Sequence, residues 1–216
     1  MQEQVLSAFQ DGRLGDVLEG LRTYFGSQQF TIWHLFTDEK RKILDQIAAK
    51  SMQALEQSLR RTYDRDYPLV NALSNNSIPI PKAYRTTFEY VLNADLSGSF
   101  STERIDIKTF ERVTAEMERW GLKVEDADRV SRLAGESILQ EIRRISSEGE
   151  SAGKLVRLNH VFSLLNRLQL RPSMHKSQNL YFELAMRKKS ATDTNPEWLR
   201  EFVFLGINLG VRIEFD

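Results

Sequence analysis

TDEKRKILDQIAAKSMQALEQSLRRTYDR, residues 37–65, is the stretch that decides the fold. Leu44, Ile47, Leu55, Leu59 and Thr62 or Tyr63 recur at helical spacing along one side. Thr37 is placed to cap the helix, and Asp38 and Glu39 put negative charge at the positive end of its dipole. At 1.5 Å per residue such a helix is roughly 40 Å long. That exceeds what a small core needs, so the pattern predicts one long central helix acting as a spine. Pro68 then suits the first turn of a separate short helix over residues 69–73.

Working outward, the same 3.6-residue period returns again and again. Residues 3–25 form a first amphipathic stretch, ended by Gly26, and the aromatic run FTIWHLF at 30–36 is either a short extended piece or an irregular plug. Downstream of the SNNSIPIP turn at 74–81, helices are expected over 82–96, 107–120, 126–145, 155–168, 174–187 and 197–209. The polar stretch 146–153 reads as a flexible joint, and the closing VRIEFD alternates like a strand with no partner in sight. The expectation is an all-α bundle of about eight or nine helices with short connections, forming a single domain over residues 1–216.

Composition narrows the chemistry. Thirty basic residues balance thirty acidic ones in 216, which argues against a general nucleic-acid binder, since phosphate contacts need a basic excess. Cysteine is absent, so disulfides, thiolate metal sites and a cysteine nucleophile are excluded together. No apolar run approaches the roughly 20 residues of a membrane span. The start MQEQVLSAF lacks the basic head and apolar stretch of a secretory signal, and a cytoplasmic location is the default expectation.

Candidate motifs fail for stated reasons. His34, His160 and His175 have no second histidine at ligand spacing, so no metal site is expected. Each is read as satisfied by water or backbone. Gly149-Glu150-Ser151-Ala152-Gly153-Lys154 is one residue short of a P-loop and is followed by Leu155 instead of a magnesium-holding hydroxyl. Ser97-Gly98-Ser99 lacks the strand-to-helix turn of a nucleophile elbow and reads as a loop. Pairs such as Glu136 with Glu141 are accidental among so many carboxylates, and no catalytic residue or cofactor is assigned. Trp120 and Trp198 fall on apolar faces and read as core, with the indole nitrogen bonded at its rim; Trp33 is open to a stacking role.

Two segments bear on function. One is His34-Leu35-Phe36-Thr37-Asp38-Glu39-Lys40-Arg41-Lys42-Ile43-Leu44, with Tyr67-Pro68-Leu69 and Ile78-Pro79-Ile80-Pro81-Lys82-Ala83 downstream; the other is Ser177-Gln178-Asn179-Leu180-Tyr181-Phe182-Glu183. In this order they resemble the C-terminal helical region, known as domain of unknown function 3536, of bacterial proteins that begin with a glycoside hydrolase family 57 barrel of the α-amylase/α-mannosidase-like kind. Lys40 departs from the glutamine expected there. The resemblance implies an accessory domain, inactive alone, whose partner is the catalytic barrel of the same chain and whose natural start lies upstream of Met1. It implies no catalytic residue here, because the family's carboxylates belong to the barrel. The candidate interface or glycan-rim residues are Trp33, Asp38, Glu39, Arg41, Lys42, Gln178, Asn179 and Glu183, with an oligosaccharide as the ligand they would meet. The same features also suit a free-standing helical interaction or scaffold protein.

Overall fold

The computed structural model describes residues 16, 19, 23, 37–100, 103–147, 151–189 and 195–213. Every regular element among them is a helix: α1 Thr37–Asn75, α2 Lys82–Ser99, α3 Ile107–Trp120, α4 Ala127–Ser147, α5 Ala152–Arg167, α6 His175–Lys189 and α7 Pro196–Leu209. The fold is all-α, with seven helices among the described residues in place of the expected eight or nine. Two compact units divide at Pro68, Met1–Pro68 and Leu69–Asp216.

Part of the shortfall has a local cause. Pro68 does not begin a new helix; it lies inside α1, which runs unbroken through residues 69–73 to Asn75. A proline there costs one backbone hydrogen bond, and the helix tolerates the loss instead of breaking. Thr37 is the first described residue of α1. The expected stretch 3–25 falls largely outside the described residues; the three of its residues that are described, Asp16, Glu19 and Thr23, are helical. The aromatic run 30–36 is wholly outside them.

Within Met1–Pro68, the apolar stripe of α1 is only partly covered. Ile47 and Tyr63 are buried, whereas Leu44, Met52 and Leu55 stay 39%, 52% and 50% exposed. The long helix expected from the sequence is present, with part of its apolar stripe open. Tyr63 meets Tyr67 edge-on at 5.7 Å, and Arg60 bonds Glu56 one turn back at 3.3 Å.

In Leu69–Asp216 the helices enclose a core. Asp106 starts α3, its carboxylate accepting from the Thr109 amide at 3.2 Å and the Thr109 hydroxyl at 2.7 Å. Phe110, Val113, Met117 and Trp120 then fill one buried face. Phe88 of α2 touches Trp120 at 5.2 Å, while Arg112 reaches back to Asp95 at 2.5 Å, so α2 and α3 run antiparallel. Between α3 and α5 the pairs Glu111–His160 and Glu118–Arg167 advance together, so these two helices run parallel. His160 thus has a carboxylate partner at 2.6 Å, not the water or backbone expected.

The last two helices form an antiparallel pair. Tyr181 stacks on Phe202 at 4.4 Å, and Phe202 on Trp198 at 4.6 Å. Tyr181 donates its hydroxyl to the Phe202 carbonyl at 3.0 Å. Trp198 is buried as expected, but its Nε1 has no hydrogen-bond partner among the described residues. The ring plane is set by stacking on Phe202, with the Lys188 ammonium 5.3 Å from its centroid.

Helix ends account for the remaining boundary shifts. Ser97-Gly98-Ser99 is the last turn of α2, with the buried Ser99 hydroxyl donating to the Leu96 carbonyl at 2.7 Å. Ser146 and Ser147 continue α4, and Ala152 and Gly153 already belong to α5, so both ends of the expected joint are helical; residues 148–150 lie outside the described set. Val211–Ile213 form no strand, because the Val211 amide turns back to the Gly206 carbonyl at 2.8 Å. No described helix is long and apolar enough to cross a membrane.

Candidate functional site

The residues singled out from the sequence fall in two places. Trp33 lies outside the described residues. Asp38 and Glu39 are in the first turn of α1, with side chains likewise outside, and Arg41 and Lys42 follow as exposed residues. Gln178, Asn179 and Glu183 belong to α6. Gln178 donates Nε2 to the Leu209 carbonyl at 2.8 Å, satisfying one of the acceptors that the end of α7 leaves open. Its place is therefore a helix end. Asn179 and Glu183 point outward, and Glu183 sits 4.0 Å from Arg187, a solvated pair of little energetic weight.

A concave feature lies at the start of the same helix. A groove of about 540 Å³ runs between α4 and the start of α6, lined among others by Asp128, Arg132, Glu136, Arg171, His175 and Lys176. Its geometry follows from spacing. Asp128, Arg132 and Glu136 are four residues apart, which puts all three along one side of α4. Opposite them, Pro172 and Ser173 lead into α6. Gly135 allows the close approach: a Cβ there would lie 3.2 Å from the Ser173 carbonyl oxygen and 3.4 Å from Pro172 Cβ. Ser177, the first residue of the second motif, is buried and also lines the groove.

The walls present carboxylates, guanidinium and ammonium groups, hydroxyls and an imidazole. Such a lining can donate and accept hydrogen bonds along its length. It holds no phenylalanine, tyrosine or tryptophan among the described lining residues. Among the described residues no three histidine, aspartate or glutamate side chains are grouped to hold a metal ion.

Sequence reasoning reached the groove only at its edge, through Ser177. Glu136 was visible merely as one of many carboxylates, and His175 as a lone histidine. The four-residue spacing of Asp128, Arg132 and Glu136 was the available signal; what faces it depends on the chain's return forty residues later. Compared with known proteins, the chain matches no family model, no curated protein and no solved structure.

Proposed function

We propose that this chain is the helical accessory domain of a cytoplasmic family 57-type glycoside hydrolase, packed against the catalytic barrel of the same polypeptide, with its α4–α6 groove forming part of the glycan rim. The groove is the observation that carries the reading. Its donors and acceptors match an array of sugar hydroxyls, and it shares Ser177 with the motif on which the resemblance rests. Lacking an aromatic platform among its described residues, it works as a wall of a larger cleft and not as an autonomous binding site. Phe182 and Met186 on α6, with Phe204 and Ile207 on α7, expose about half of their surface and suit a neighbouring domain.

The natural polypeptide containing this sequence is expected to be longer than 216 residues and to hydrolyse α-glucans or mannosides, while the isolated chain does not. In that longer polypeptide, Arg132→Ala with Glu136→Ala is expected to raise KM several-fold and leave kcat near its original value. Turnover by the isolated chain overturns the reading. A natural polypeptide no longer than this chain overturns it in favour of a free-standing helical scaffold.

A further inference from the structure

The α4–α6 groove has two unlike walls. On α4, Arg132 stands between Asp128 and Glu136, four residues from each, so that wall mixes both signs. The other wall brings Arg171 and Lys176, and among the described lining residues no carboxylate belongs to it. Neither of these two cations forms an ion pair among the described residues. The same wall carries the positive end of α6, a helix of 15 residues with no acidic residue in its first turn.

Gln178 is the first residue of α6 whose amide reaches back along the chain, to the Met174 carbonyl at 2.8 Å. The amides of His175, Lys176 and Ser177 are left for another acceptor, and the thioether of Met174 is a poor one. A helix start alone names no ligand, and Ser177 adds a second, independent observation. It lines the groove, is only 1% exposed, and its hydroxyl makes no hydrogen bond among the described residues. Helical side chains lean toward the N-terminus, which directs that hydroxyl to the open amides. Leaving a buried hydroxyl without a partner is costly, and an acceptor bound in the groove removes the cost. Amides, hydroxyl, guanidinium and ammonium all donate, so the group they fit is a negatively charged acceptor.

We infer that the α6 end of the groove binds the phosphate of a sugar phosphate, held by the amides of residues 175–177, the Ser177 hydroxyl, Arg171 and Lys176. Asp128, Arg132 and Glu136 on the facing wall then meet the sugar hydroxyls. A volume of about 540 Å³ lies within the range of small-molecule sites. The sugar half of this assignment rests on the groove being a glycan wall; the phosphate half does not.

The test is titration of the full chain with inorganic phosphate, glucose 6-phosphate and glucose, followed by amide chemical shifts. Saturable shifts around residues 171–178 are expected with both phosphates, glucose 6-phosphate binding several-fold more tightly and glucose alone producing none. Arg171→Ala with Lys176→Ala is expected to weaken both phosphates about tenfold, equivalent to ~1.4 kcal/mol. Ser177→Ala should weaken them about threefold yet leave the melting temperature unchanged or higher, because the hydroxyl it removes has no partner to lose. A merely structural serine gives the reverse, lower melting with unchanged affinity. Arg200→Ala on α7 should change nothing. Shifts that never saturate, that respond equally to Arg200→Ala, or that persist unchanged in the folded double variant overturn the inference. Glucose binding as tightly as glucose 6-phosphate overturns the phosphate's part, and inorganic phosphate binding as tightly overturns the sugar's. The glycan reading fails separately, through an unchanged KM in the longer polypeptide.

Discussion

Gly206 shows how a single residue can be misjudged from local rules. Inside a helix glycine is less favourable than alanine by about 1 kcal/mol, so sequence logic would replace it. In the structure a Cβ there would lie 2.8 Å from Tyr181 Cζ and 2.8 Å from the Val211 carbonyl oxygen. The backbone oxygen cannot swing aside, and the Tyr181 ring is held by its stack on Phe202. Gly206→Ala is therefore expected to lose about 1–2 kcal/mol net, seen as a lower denaturant midpoint, despite its better helix propensity. Gln169 presents the opposite case. It holds φ at 56° just past α5, its amide bonding the Asn166 carbonyl at 3.0 Å, while the Leu170 amide bonds Leu165 at 2.9 Å. A side chain gains nothing from that left-handed conformation, so Gln169→Gly should stabilise by about 0.5–1 kcal/mol in the same measurement.

At the scale of the element, starts and stops decide where each helix lies. The α3 boundaries could be read from sequence because both signals are local: the amphipathic run begins at Ile107, and Gly121 ends it. Asp106 supplies the cap. Its hydrogen bond from the Thr109 hydroxyl, then that from the Thr109 amide, hold its carboxyl below the usual aspartate value. A lowered folded value means the stabilisation is present above the unfolded pKa and disappears as pH falls through the folded one. Asp106→Ala should cost about 1 kcal/mol near neutrality. Asp106→Asn keeps an acceptor but cannot titrate, so thermal melts in acid should show a shallower loss than the parent. Pro68 illustrates the limit of such signals. As a helix-starting residue it was plausible, yet α1 runs through it, because a proline's local penalty does not by itself fix where a helix must end.

For the whole molecule, an aromatic stack joins α6 to α7, and its phenol is shifted by burial. Burial pushes the Tyr181 phenol up to about 12 from its ordinary value of 10.0. A raised folded value makes the contribution complete below the unfolded pKa and lost as pH climbs through the folded one. The melting temperature should therefore fall between about pH 10 and about pH 12, with Tyr181→Phe removing that component after a constant loss of about 1 kcal/mol for the hydrogen bond to Phe202. A pH-independent melt over this range would contradict the enclosure of the phenol.

By itself the sequence determined the helical class, the buried faces of α2 to α5 and α7, and the lack of thiol chemistry, because periodicity, turn residues and composition act over a few neighbours. It also marked Gln178, Asn179 and Glu183 as sharing a helix. Only the tertiary structure decided that Gln178 closes the end of α7, that Leu44 and Leu55 stay open, and that Asp128, Arg132 and Glu136 face Arg171 and His175 across a groove. Those facts depend on which distant backbone returns to which face, and a pairwise meeting forty residues apart leaves no periodic trace in the chain.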